Sequence, residues 1–291
     1  MAPAAALVSL AALCLVPTAS ASSASSAPTG RTVVPASRTT TVPARATVAV
    51  TRATSVLGSR AAAAHPPSGV ALARTAPRGW VRVWADDFGG TSLKPAWDKY
   101  SGYPGSYSTG YWSPRHVQVG RGMMTLRGCR EGSTFVTAGV SATRVTSQVY
   151  GKYLVRMRAD VGQGVGYVAL LWPSDGWPPE VDFAEDAGHQ RTTTSATAHW
   201  GRANLQQQLI LNADFSKWHT LGVEWTPTSL KYTIDGRVWA TMTGSAVPHQ
   251  PMHLAVQSAA LACSSWAACV TSQTPRNVNV EVDWVDVYRM A

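Results

Sequence analysis

The chain has 291 residues and a formal net charge of +9, a balance that at first suggests nucleic acid or an anionic surface as partner. Seven of its arginines and none of its acids fall in the first 79 residues, leaving 18 basic against 16 acidic residues, or +2, beyond them. The later part is close to neutral, so net charge gives it no nucleic-acid function.

All twelve Trp, nine Tyr and four Phe lie at or beyond Trp80. Before it come Ala, Ser, Thr, Val, Pro and Arg, with no Lys, Asp or Glu. A segment without aromatics buries too little apolar surface to offset its ordering entropy. Residues 1–21 read as a secretory signal peptide, with an apolar run from Ala4 to Val16 and Ala19-Ser20-Ala21 as cleavage site, although no Lys or Arg precedes the run. That run is too short for a membrane span. Residues 22–79 are expected to form a disordered linker and 80–291 one folded domain of a secreted, extracellular protein. The spaced arginines of the linker suit either contact with an anionic cell surface or plain solvation.

Beyond Trp80, short β-prone runs alternate with turn signals. Val81-Arg82-Val83-Trp84 opens the domain. Residues 116–119 and 123–126, joined through Gly120-Arg121-Gly122, predict a hairpin. Strands are also predicted over 150–159 and 218–225. Asp235-Gly236 between 230–234 and 237–242 suits a type I′ turn, and 278–288 closes the domain. No long helical periodicity, internal repeat or glycine-rich phosphate loop interrupts this pattern. Many short strands in one domain predict an all-β sandwich of two packed antiparallel sheets, a jelly roll. Cleavage of the leader would leave Cys129, Cys263 and Cys269, an odd number, so one is expected unpaired or paired between chains. Cys263 with Cys269 is the expected disulfide, and Cys129 with either is the alternative. No Cys/His spacing predicts a zinc site.

The densest chemistry lies in Pro179-Glu180-Val181-Asp182-Phe183-Ala184-Glu185-Asp186. Strand alternation sends Glu180 and Asp182 to one face and Val181 and Phe183 to the other. Glu185 breaks that period unless one extra residue bulges after Asp182, which returns it to the side of Glu180. The two glutamates are then about four strand steps apart, roughly 13 Å between Cα atoms. Side chains leaning together reduce this to about 5–6 Å between carboxyls, the separation a retaining glycosidase needs. Asp182 between them can hold their pKa values apart. The plainer alternative is a solvated acidic strand face, with or without calcium.

Glu-Val-Asp-Phe-Ala-Glu resembles the Glu-x-Asp-x-x-Glu signature of glycoside hydrolase family sixteen in its bulged, laminarinase-like form. The resemblance runs from about Trp80 to Arg289. It implies a concanavalin-like β-jelly roll with a cleft on its concave sheet. It also implies Glu180 as nucleophile, Asp182 as assisting carboxylate and Glu185 as general acid/base. His199, on the strand expected to follow, is either an ordinary histidine with one backbone hydrogen bond or a support for the carboxylates. Trp112, Trp172, Trp177 and Trp200 are candidate sugar-stacking rings, with core packing as the alternative. Trp225, Trp239 and Trp284 are expected in the core. Gln148 and Gln257 either reach the cleft or are plain surface. Where the family often has Trp-Pro-Ala-Phe-Trp upstream, this chain has Tyr167-Val168-Ala169-Leu170-Leu171-Trp172, which bears on substrate more than on reaction.

No cofactor is required by this reading and no catalytic metal is expected. The resemblance does allow a structural calcium near Asp86, Asp87 and Asp283. The expected function is a monomeric, secreted, retaining endo-β-glycan hydrolase acting on β-1,3- or mixed-linkage glucan, with polysaccharide as its only partner. A bacterial exopolysaccharide as substrate, transglycosylation, a non-catalytic carbohydrate-binding jelly roll and a calcium-dependent adhesion domain are the alternatives.

Overall fold

The computed structural model describes residues 75–291; the expected leader and nearly all of the expected linker lie outside them. The first strands are β1 (Trp80–Asp86), β2 (Asp98–Lys99), β3 (Tyr111–Trp112), β4 (Val117–Gly120), β5 (Met123–Leu126) and β6 (Cys129–Glu131). Next come β7 (Thr134–Thr137), β8 (Gly139–Ser141), β9 (Gly151–Ala159), β10 (Val165–Pro173), β11 (Glu180–Asp186) and β12 (Thr193–Trp200). The last are β13 (Leu205–Asn212), β14 (His219–Trp225), β15 (Ser229–Ile234), β16 (Arg237–Thr243), β17 (Met252–Ala260) and β18 (Val280–Met290).

One sheet runs β13-β12-β11-β10-β17-β8-β2, and a larger one runs β16-β15-β14-β9-β18-β5-β4 with β1 added on β18. A small third sheet joins β3, β7 and β6. The two large sheets pack face to face, which is the all-β jelly-roll sandwich expected. Both predicted hairpins form around two residues with positive φ, as a type I′ turn requires: Arg121 (57°) with Gly122 (71°), and Asp235 (48°) with Gly236 (79°).

Alternation along each strand builds the core. Tyr167, Ala169 and Leu171 of β10, Val181 and Phe183 of β11, and Ala196 and Ala198 of β12 meet Tyr153, Val155, Val223, Trp225 and Tyr232 from the opposite sheet. A fully buried side chain of this size contributes about 1.5–3 kcal/mol, so this layer fixes the register of the strands that carry the site. Trp225 satisfies its indole N–H on Pro248 O at 3.0 Å. Trp239 packs against the core from its edge. Trp284 does not enter it. A register shift after Val282 sets Trp284 opposite Arg156 rather than Val155, on the outer face of its sheet. That face carries the ion pairs Arg156–Asp283 at 2.9 Å and Lys152–Glu224 at 2.8 Å.

Cys263 and Cys269 form the expected disulfide. Cys129 is buried and is not a free thiol. Among the described residues, no helix is long and apolar enough to cross a membrane.

Candidate active site

The bulge expected in the acidic strand is present. Pairing with β12 steps from Glu180↔His199 through Asp182↔Thr197 to Glu185↔Ser195, three residues on β11 against two on β12. The same irregularity recurs on the other side, where Ala169 faces Ala184 and Leu170 faces Asp182. Phe183 is the residue skipped on both sides, and it is fully buried in the core. Burying Phe183 rather than exposing it thus sets the phase of the strand, and Glu185 returns to the face of Glu180 and Asp182. Asp186 is turned the other way, into a buried ion pair with Arg191.

All three carboxylates open into a cleft of about 590 Å³. Its floor includes Val168, Leu170 and Trp172 of β10, and its walls include Tyr100, Tyr107, Trp112 and Trp177. Backbone spacing makes room for one of these walls. A methyl group on Gly139 would sit 2.4 Å from Tyr100 Cδ2, so only glycine lets that ring lie against β8.

Each carboxyl has a different environment. Glu180 Oε2 accepts the indole N–H of Trp177 at 2.7 Å, a charge-assisted bond that aims the carboxylate. Asp182 is 2% exposed, and its Oδ1 meets no donor. Burial first, then the charges of Glu180 and Glu185 and a hydrogen bond with Glu180, hold the Asp182 carboxyl well above the usual carboxylate range. A protonated Asp182 resolves the missing donor, because its O–H can be given to Glu180.

Burial also raises Glu185 to about 7, helped by the charges of Glu180 and Asp186 and opposed by hydrogen bonds from Thr197 and Ser195. Thr197 Oγ1 donates to Glu185 Oε2 at 3.0 Å and Ser195 Oγ at 3.3 Å. Gln208 on β13 donates to both hydroxyls, at 3.1 and 3.3 Å, and so orients them toward the carboxyl. One carboxyl anchored by an N–H donor, with another carrying a proton near neutrality, is the asymmetry that acid/base chemistry on a glycosidic bond requires.

A family model, glycosyl hydrolases family 16, matches residues 105–286. The chain belongs to that family. An endo-1,3-1,4-beta-glycanase, ExsH, of Rhizobium meliloti (strain 1021) is 30% identical over 161 residues, 53% of this chain and 34% of the relative. A glucan endo-1,3-beta-glucosidase of Cryptopygus antarcticus is 24% identical over 192 residues, 56% of this chain and 69% of the relative. The chain thus spans about a third of the length of the Rhizobium relative, 34% of it. The catalytic domain of an endo-1,3-beta-glucanase (laminarinase) from Thermotoga petrophila RKU-1 superposes with a TM-score of 0.66 at 19% identity, covering 72% of this chain and 98% of that one. The laminarinase from Rhodothermus marinus gives 0.65 at 23% identity, covering 73% and 98%. These structures share the fold.

Within this family 16 domain, the candidate residues separate by the face of their strand. Trp172 and Trp177 are exposed in the cleft, and Trp112 lines it with its N–H held by Ser258 O at 2.8 Å. His199 is opposite Glu180. Its Nδ1–H donates to Asn204 Oδ1 at 2.9 Å, and its Nε2 lies 3.6 Å from Asp182 Oδ2. Trp200 is a correction: one step beyond His199 it points the other way and packs on the core. Gln148, for which cleft and surface were both open, donates to Tyr288 O at 2.9 Å and is not among the cleft residues. Gln257 does line the cleft and hydrogen-bonds Tyr107.

Asp86 accepts bonds from Phe88 N and the Trp97 indole, and pairs with Lys94 at 2.7 Å. Asp283 pairs with Arg156. Two of the three expected carboxylates therefore already meet a cation, and the third, Asp87, accepts Gly89 N at 3.3 Å, so the set offers calcium little uncompensated charge.

Sequence reasoning missed Tyr100, Tyr107, Gln208 and Trp266. The tyrosines sit in irregular chain with no period to read. The one available signal for Trp266 was its position between two closely spaced cysteines.

Proposed function

We propose that this domain is a retaining endo-β-glycan hydrolase. The observation that carries the reading is the bulge at Phe183, which aligns a Trp177-anchored Glu180 and a Glu185 titrating at about 7 on one wall of an open cleft. Protonated Glu185 gives its proton to the glycosidic oxygen as Glu180 attacks C1, the C–O bond breaks, and a covalent glycosyl-enzyme forms. Ionised Glu185 then takes a proton from water, which attacks C1 and releases Glu180 with the starting configuration. Asp182, protonated, donates to Glu180 and disperses its charge as the carboxylate is regenerated. An acceptor sugar replacing that water gives transglycosylation by the same steps.

The names of the relatives favour β-1,3- or mixed β-1,3-1,4-linked glucan as substrate. Both carboxylates lie on one chain, which suits action as a monomer. The leader-like residues 1–21 and the Cys263–Cys269 disulfide support export to an oxidising compartment. The test is reducing-sugar release from laminarin, lichenan, agarose, carrageenan and a bacterial exopolysaccharide, with Glu180→Gln run in parallel and the first-formed anomer read by NMR. We expect release from a β-glucan, a β-anomer first, and no turnover by the variant. An α-anomer first, or unchanged turnover by Glu180→Gln, would remove the mechanism. Binding to a polymer without any release would make the domain a carbohydrate-binding module instead.

A further inference from the structure

A second cavity of about 510 Å³ continues the cleft across β12 and β13, lined by Glu185, Ser195, Gln208, Ile210 and Trp266. Glu185 and Trp266 border both cavities, whereas Glu180 and Asp182 border the first alone. The reacting sugar must touch nucleophile and acid together, so it occupies the first cavity. A neighbouring sugar that meets the acid without the nucleophile is the one that departs with the protonated oxygen.

Trp266 stands at the junction, 41% exposed, on a loop closed by the Cys263–Cys269 disulfide. The loop is held in place at several points. Trp266 N and Ala267 N donate to Ser264 Oγ at 3.2 and 2.9 Å. Ala262 N reaches Tyr107 O at 2.8 Å, tying the loop to the far cleft wall. Ala268 N reaches Ala187 O at 3.0 Å, two residues beyond Glu185, and His189 Nε2–H donates to Trp266 O at 3.3 Å. An apolar ring left in water on a backbone fixed relative to the acid is partly preorganised for a ligand, because the loop itself has little ordering entropy left to lose on binding.

We propose that Trp266 is the platform for the leaving-group sugar: its indole stacks on the ring that departs from Glu185, and it sets how strongly the enzyme prefers a chain extending into the second cavity. This assignment rests on the hydrolase reading above.

The experiment compares Trp266→Ala and Trp266→Phe with the intact protein on two substrates: the β-glucan that the intact enzyme cleaves, and a glycosyl fluoride of an oligosaccharide from that glucan. Fluoride is a one-atom leaving group, so the second cavity stays empty during its cleavage. We expect Trp266→Ala to lose roughly three- to tenfold in kcat/KM on the polymer, the scale of one aromatic contact, and to stay within about twofold on the fluoride. Trp266→Phe should keep most of the polymer activity. Equal losses on both substrates would place Trp266 with the reacting sugar or the fold, and no loss on the polymer would leave it without a role; either result overturns the assignment alone. An intact protein that cleaves neither substrate overturns the hydrolase reading and this one with it.

Discussion

Thr197→Val isolates what sets the proton on Glu185. The side chains have nearly the same shape, and Thr197 is 3% exposed, so the change deletes one hydroxyl and leaves the packing in place. That hydroxyl donates to Glu185 Oε2 at 3.0 Å and favours the ionised carboxylate, holding the pKa down against burial. A hydrogen bond to a charged group is worth about 1.5–3 kcal/mol, and one pKa unit corresponds to about 1.36 kcal/mol. The full effect is therefore about one to two units, and because Ser195 still donates at 3.3 Å, about one unit is expected.

The direction is upward. Glu185 at about 7 is protonated, and competent as an acid, below that pH; in the variant it stays protonated to about 8. The pH–rate profile of kcat/KM should therefore keep its acid limb while its alkaline limb moves up by about one unit. The same shift has a stability consequence. Glu185 is raised from the usual 4.5 to about 7 in the fold, so the folded chain binds more protons than the unfolded chain between those values, and stability falls as pH rises through that window. In Thr197→Val the decline should continue to higher pH. An alkaline limb that stays in place or moves down would refute the argument that Thr197 tunes the acid.

Three other expectations follow from the same contacts. Trp177→Phe keeps a ring in the cleft but removes the N–H held 2.7 Å from Glu180, so kcat should drop about tenfold with little change in KM; a change confined to KM would mean that the indole serves binding only. Asp182→Asn keeps the shape and offers Glu180 an N–H donor without a titrating proton, so the melting temperature should hold or rise above pH 7 while kcat falls; a large loss of stability there would mean that Asp182 is buried as a paired charge. Because Lys94 and Arg156 already face Asp86 and Asp283, EDTA should change neither activity nor melting temperature, and a lower melting temperature restored by calcium would show a site that these pairs do not preclude.

Much of this site was legible because its chemistry is written along one strand. Glu180, Asp182 and Glu185 have a spacing that makes sense on one face only with a bulge, and Phe183, too apolar to remain in water, is the residue that makes it. Hairpins with Arg-Gly and Asp-Gly were equally readable, since positive φ at two successive positions leaves few residue choices. What depended on face was harder. Trp200 follows His199 directly, and alternation alone says that only one of the two can line the cleft, yet it does not say which; the core decides, by taking Trp200 onto its edge. Trp284 was misread for a related reason, as the shift after Val282 moved it one step out of phase.

The residues that escaped detection act across strands rather than along one. Gln208 sits on β13 and touches Glu185 only through Thr197 on β12, a relay that no one-dimensional pattern displays. Tyr107 and Trp266 reach the cleft from loops far apart in sequence and meet through the Ala262 N–H on Tyr107 O. The catalytic strand therefore specifies what reaction is possible, and these cross-strand contacts specify the proton's pKa and the sugar that accompanies it. On this division, substitutions along β11 should change whether turnover occurs, whereas those at Gln208, Tyr107 and Trp266 should change the pH or the polymer at which it does.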